Sequence, residues 1–345
     1  MAGGAGNNWT IGYGLPGSEG PRRTLTAVRR EVERSDSLDS ILVASSLAGG
    51  TGSGLGSRVT EELRDHFPRT SIVSVAVSPF HVGEVIPQFY NASLSLSHLL
   101  EASDCVIMIE NQIVDRTCRE LLKIKQPSYV DLNRVIASHV AAPALPSTTA
   151  GGSRHALSDT IRHVSGHPSF KFVAAQVVPT IPPQSLDFNS DSWSGLLNRT
   201  FQTNLCSTLD LGIDWRIAVD SGSPHNVAVA SILTMHGSDA LGHVDALHRE
   251  ISRFQNRALY APWNPVPFMT CTRAGSFQGH QRAVTLLSNS MAAVRPAELL
   301  STRGSEQFRS RAFVHTFLSN GVIEEDDLNL AFQRLQQACN DYAEL

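Results

Sequence analysis

Ser46-Leu47-Ala48-Gly49-Gly50-Thr51-Gly52-Ser53-Gly54-Leu55-Gly56 is the segment whose residue types come closest to declaring a chemistry. Glycines let backbone amides approach a ligand closely and accept either sign of φ. Amides at the start of a helix, with the helix dipole behind them, form a phosphate site. Thr51 and Ser53 add hydroxyls to the same stretch. The chemistry implied is the binding of phosphate groups. A P-loop is excluded because no lysine occurs in the segment, and the glycine register does not supply the G-x-G-x-x-G fingerprint of dinucleotide folds. Taken alone, the segment also reads as a tight turn.

Other chemistries find less support. The five cysteines, Cys105, Cys118, Cys206, Cys271 and Cys339, are scattered without zinc-type or C-x-x-C spacing, which fits buried thiols in a reducing compartment. The thirteen histidines show no ligand spacing either, so no all-protein metal site is expected. A net charge of −4 gives no reason to expect nucleic acid as a partner. The start of the chain lacks the charged-then-apolar pattern of a secretory signal, and no apolar run is long enough for a bilayer, so an intracellular protein without membrane contact is the expectation.

The elements that must position the glycine loop can be read from periodicity. Helices are expected at 24–34, 54–67, 91–102, 111–124 and 129–140, and buried strands at 40–45, 71–77 and 104–109. Alternating strands and helices with apolar, non-alternating strands indicate a parallel sheet. Such sheets bind ligands beyond the carboxyl ends of their strands, which puts the loops after Ser45, Val77 and Ile109 on one rim. Residues 141–158 turn rich in Ala, Pro, Ser, Thr and Gly and read as a linker. Strands at 170–178, 215–219 and 226–234, with helices at 192–203 and 238–255, suggest a mixed α/β domain over 159–290. Helices at 296–320 and 324–342 fill a C-terminal region, 291–345.

Gly49-Gly50-Thr51-Gly52-Ser53-Gly54 resembles the signature loop of the tubulin family, which wraps the phosphates of a guanine nucleotide. Further segments agree in order. Ala5-Gly6-Asn7-Asn8-Trp9 resembles the loop in front of the signature, Glu84 to Asn91 the ribose-side loop, Glu110-Asn111 the base-reading strand end, and Tyr129 to Asn133 the start of the central helix. Within the family the delta class fits best, through Ser46 to Gly56 with Ala48, Gly83-Glu84-Val85-Ile86, His167 to Lys171 and Trp193 to Leu197. The resemblance implies an α/β fold: an incomplete doubly wound parallel-sheet GTPase domain over 1–140, then a mixed α/β intermediate domain and C-terminal helices. It implies GTP or GDP as cofactor, with Mg²⁺ held through the phosphates. Asn7, Ser46, Ala48 and Gly49 through Gly54 would face the phosphates, Glu84 the ribose, and Asn111, Tyr129 and Asn133 the guanine. The two asparagines each offer a donor and an acceptor, which suits a guanine edge. By alignment on His167-Pro168, Asp159 would be the acid that acts on the nucleotide of a neighbouring subunit.

The same resemblance implies other tubulins or centriolar and ciliary proteins as partners. The location would be the cytoplasm and cytoskeleton, the centriole or basal body, the cilium and the nucleus. Against the family pattern the chain is expected to lack the first strand and the first phosphate loop, leaving an exposed sheet edge. Pro143 is expected to shorten or kink the central helix. Two other readings are an interaction scaffold without nucleotide binding and, more remotely, a dinucleotide-binding oxidoreductase.

Overall fold

The computed structural model describes residues 4–14, 19–82, 85–149, 151–182, 184–185, 192–205 and 226–345. The expected strand at 215–219 lies outside them. In chain order the elements begin with α1 (Trp9–Gly14), α2 (Glu19–Glu33), β1 (Ser40–Ser46), α3 (Gly56–His66), β2 (Ser71–Ser78), α4 (Gln88–Ala102) and β3 (Cys105–Glu110). They continue with α5 (Asn111–Glu120), α6 (Tyr129–Ala144), β4 (Ser147–Thr149), β5 (Arg154–His155), α7 (Leu157–Val164), β6 (Phe172–Val178) and α8 (Trp193–Leu205). Then come β7 (Ala228–His236), α9 (Ala240–His243), α10 (His248–Ser252), β8 (Phe268–Arg273), β9 (Ala283–Ser290), α11 (Met291–Arg309), α12 (Val314–Leu318) and α13 (Glu325–Ala343). The backbone divides into two compact units, residues 1–111 with 294–344, and residues 112–293.

In the first unit, β1, β2 and β3 form a parallel ladder. Ser46 stands opposite Val77, and Val77 opposite Ile109, so the three strands end in register. That is the rim expected from the strand–helix alternation. β2 and β3 are almost wholly buried, as their β-branched, non-alternating sequences require. β1 departs from expectation. Its apolar run Ile41-Leu42-Val43 is only half-buried, because among the described residues β1 pairs with β2 alone and forms the edge. Leu25 and Val28 of α2 and Leu63 of α3 cover part of it. A second cluster joins Trp9, Tyr90, Leu94, Phe317, Leu328 and Phe332, binding α1 and α4 to the C-terminal helices α12 and α13.

The second unit holds a mixed sheet in the order β6-β9-β7-β8-β4-β5. β9 runs antiparallel to both β6 and β7, while β7 and β8 are parallel. Every residue of β7 and β9 is buried, and α6, α7 and α8 pack on β6, β7 and β9. Neither β8 nor β9 is marked by sequence periodicity; β9 is buried on both faces and need not alternate, and β8 is half-buried over most of its length. Residues 141–158 are built rather than bare. They carry the end of α6, the β4–β5 hairpin with Gly152 at φ +82°, and the start of α7. Pro143 sits in the last turn of α6, where little helix remains for it to break. The expected helix at 238–255 is broken into α9, α10 and a short 3₁₀ turn. That at 296–320 starts earlier and stops at Arg309, where Arg311 and Phe313 take left-handed φ values of +57° and +60°.

His236 of β7 is buried, with its ring stacked on Phe277 at 4.6 Å and Nε2 3.0 Å from the Thr285 hydroxyl. Burial, with Arg273 adding like charge, pushes its pKa down to about 4. The folded value lies below the unfolded one, so stability is full above the unfolded pKa and falls as pH drops towards the folded pKa. Between pH 6.5 and about 4 this single ring removes up to about 3 kcal/mol. His236→Gln is expected to flatten the decline in the urea midpoint across that window, leaving the contributions of His139, His155 and His163, which burial also lowers.

Candidate functional site

The glycine loop leaves β1 at Ser46 and turns at once into helix. Gly50 already has helical dihedrals, and Thr51–Leu55 form one wide turn of π-type helix that runs into α3. The amides at the front of this turn have no carbonyl one turn earlier to bond, so they point out of the helix start. Leu47 N–H is tied back to Val77 at 3.0 Å, Ala48 N–H to the Ser46 hydroxyl at 3.4 Å, and Ser53 N–H to the Gly49 carbonyl at 3.2 Å. The Ser53 hydroxyl also bonds the Gly49 carbonyl. Ser53 is therefore buried structure, whereas Thr51 is exposed.

The glycines are required mainly by close approach. A methyl group at Gly50 would stand 2.4–2.8 Å from the Asn8 backbone, and one at Gly54 would stand 2.2 Å from the Trp9 carbonyl oxygen. Gly12 faces Gly50 in return, its missing Cβ falling 2.1 Å from the Gly50 oxygen. The segment from Asn7 into α1 thus lies backbone-on-backbone against the loop. Gly49 differs, because a methyl there would meet only the Asn7 side-chain oxygen, at 3.5 Å.

Three asparagines lock this arrangement. Asn7 takes a left-handed φ of +56°. Asn8 caps α1, its side-chain oxygen accepting from Thr10 N–H at 2.9 Å, and its amide donates to Thr316 at 2.8 Å. Asn91, fully buried in α4, accepts from Trp9 N–H at 2.9 Å and donates to the carbonyls of Asn7 and Ala48, both at 2.8 Å. Asn91 thereby joins the two loops that the resemblance assigns to phosphate. Only the family resemblance touches this residue in sequence; the available local signal is an amide standing among leucines on a helix whose whole face is buried.

On the same rim, Asn111 follows directly on β3 and is half-exposed. Its neighbour Glu110 lies 3.5 Å from His81 in the loop after β2. Glu84 lies outside the described residues. Gln88 is completely buried and donates to the Phe80 carbonyl at 3.1 Å, closing the loop that carries Glu84.

In the second unit, Tyr129 and Asn133 are one turn apart on α6, and both are exposed, Tyr129 by 72%. A capping box fixes where that helix begins. Asp131 accepts from the Ser128 hydroxyl at 2.6 Å and from its N–H at 2.9 Å, and these bonds hold the Asp131 carboxyl below the usual carboxylate range. Asp159 occupies the third position of α7, accepts from Ala156 N–H at 3.1 Å and lies 3.4 Å from Arg162. Its carboxylate is engaged in starting the helix.

The model of the Tubulin/FtsZ family, GTPase domain, matches residues 2–119. The tubulin delta chain of Macaca fascicularis is 31% identical over 99% of this chain and 78% of its own length. The chain belongs to the tubulin family. The tubulin delta chain of Homo sapiens matches to the same degree, and the tubulin beta chain of Candida albicans is 27% identical over 99% of this chain and 76% of its own. The likeness to delta chains is thus the stronger of the two. Tubulin-family membership implies guanine nucleotide and other tubulins as the ligand and partner classes.

Two alanine substitutions separate close backbone contact from open space. Gly50→Ala is expected to lower stability by about 1–3 kcal/mol, because the Asn8 backbone cannot move aside cheaply. Gly49→Ala is expected to leave the urea midpoint nearly unchanged. Equilibrium unfolding of both variants, followed by far-ultraviolet circular dichroism, checks the contrast.

Proposed function

We propose that this chain is a delta-tubulin-like, GTP-binding cytoskeletal protein that organises microtubules at the centriole, basal body and cilium. The observation that carries the reading is the open position at Gly49. A turn of helix amides follows from Gly50, a ligand oxygen could come within van der Waals contact of the backbone, and the Asn7 carboxamide stands nearby. The donor set fits phosphate. Gly50, Gly52, Ser53 and Gly54 shape this cradle, while Ser46 and Ala48 fix its entry from β1.

In this reading Asn111 contacts the guanine edge, Tyr129 stacks on the base, Asn133 bonds its edge and Glu84 bonds the ribose. Magnesium would be held by phosphate oxygens; among the described residues no cluster of three His, Cys, Asp or Glu side chains could hold a metal by itself. Hydrolysis would await a subunit contact, with Asp159 as the acid offered to a neighbour's nucleotide. The stronger likeness to delta than to beta chains supports the centriolar and ciliary role, with other tubulins and centriolar or ciliary proteins as partners in the cytoplasm and cytoskeleton.

The test is a titration of the full chain with a fluorescent GTP analogue and magnesium, with GTP, ATP and NAD as competitors. Displacement by GTP alone is expected. Gly49→Ala should fold yet bind at least about tenfold more weakly, since its methyl takes up ligand space. Asn111→Ala should cost about tenfold in GTP affinity and narrow the preference over ATP. Absence of binding by a folded wild-type chain would favour an interaction scaffold, and displacement by NAD would favour an oxidoreductase.

A further inference from the structure

Beside α1 and the glycine turn lies a polar cluster that no sequence motif marks. Glu61 of α3 accepts a hydrogen bond from the Tyr13 hydroxyl at 2.7 Å through one carboxylate oxygen. Its other oxygen pairs with Nδ1 of His98 on α4. The Trp9 ring is stacked on Tyr13 at 4.3 Å and lies 4.9 Å from His98, and its indole N–H donates to the Ser57 hydroxyl at 3.3 Å. Arg58 sits over the Tyr13 ring at 5.7 Å while its guanidinium pairs with Glu62 at 3.0 Å.

The backbone and the side chains of α1 are thereby coupled. The Trp9 carbonyl, Gly12 and the Tyr13 nitrogen lie in backbone contact with Gly50 and Gly54. The Tyr13 side chain in turn is held by Glu61. The helix has six residues, too few to hold its position unaided. Even a half-buried carboxylate is an unusual way to fasten a helix, because a leucine in its place would pack with less desolvation cost. Burial opposes ionisation of Glu61, yet the hydrogen bonds from His98 and Tyr13 outweigh it and hold its pKa below the usual carboxylate range. Burial and the bond to that carboxylate in turn push the Tyr13 hydroxyl up to about 12. Tyr13 stays protonated and donating, and Glu61 stays charged and accepting.

We infer that Glu61 is a positioning residue for the nucleotide loop: by holding Tyr13 and His98 together it presses α1 onto Gly50 and Gly54, and so sets the placement of Asn7 and of the amides from Gly49 to Gly52. The inference rests on the nucleotide reading proposed above. Glu61 touches no ligand itself and acts through α1.

The experiment uses the full chain as wild type and as Glu61→Ala, Glu61→Gln and Tyr13→Phe, with two readouts. Hydrogen exchange of the nucleotide-free proteins is expected to quicken in Glu61→Ala at residues 5–14 and 47–55 and to stay unchanged in β9. Dissociation of the fluorescent GTP analogue is expected to accelerate about tenfold in Glu61→Ala. Glu61→Gln keeps an acceptor for Tyr13 and should recover most of the loss. The double variant Glu61→Ala with Tyr13→Phe should be little worse than Glu61→Ala, since both act along one path. Unchanged exchange at 5–14 and 47–55 would overturn the inference. So would quicker exchange with an unaltered dissociation rate, because Glu61 would then only stabilise the fold. A wild-type chain that binds no analogue would overturn the nucleotide reading and this role with it, a failure recognisable because it precedes any substitution.

Discussion

The first unit depends on one steric fact: two stretches of backbone lie closer together than any side chain allows. The turn after β1 and the start of α1 meet through glycines, with Gly12 over Gly50 and Gly54 under the Trp9 carbonyl. Because the contact is between main chains, its geometry is set by peptide planes and not by adaptable rotamers. Asn91 then converts proximity into order, one buried amide satisfying three main-chain groups from two loops. Leaving these groups unpaired would cost more than the bonds themselves return, so the fold has little freedom to rearrange them.

The sheet supplies the second constraint. Parallel strands in register bring three loop starts to one line, and the line is where helix beginnings and strand ends present amides and side chains outward. Asn111 and the loop closed by Gln88 come to the same edge as the glycine turn for that reason, although they are far apart in the chain.

Much of this could be read beforehand. The glycine string between an apolar strand and a helical pattern announced a strand-to-helix turn, and the β-branched runs of β2 and β3 announced a parallel ladder. Tyr129 and Asn133 fall at successive turns of a helix whose start is written as Ser128 and Asp131. What escaped reading did so for physical reasons. β1 has the composition of a central strand but lies at the edge of the described sheet, and neighbours are a tertiary property. β9 is buried on both faces and carries no period, and the half-buried β8 does not alternate either. The Glu61 cluster joins residues from three helices, and no spacing within any one of them marks Tyr13, Glu61 and His98 as partners. The breaks in the helices expected at 238–255 and 296–320 come from left-handed residues and short turns whose sequences are compatible with helix.

The capping box at Ser128 has a bearing on insertions and deletions. A helix turns by about 100° for each residue, so Tyr129 and Asn133 share a face only while the number of residues between them is fixed. Because Ser128 and Asp131 dictate where the helix starts, a residue gained or lost in the preceding loop, 121–127, is absorbed before the cap and leaves the pair aligned. The same change between Tyr129 and Asn133 would swing the asparagine a quarter-turn away. Length variation in this region is therefore confined to one side of a single serine, which acts as the origin of a ruler.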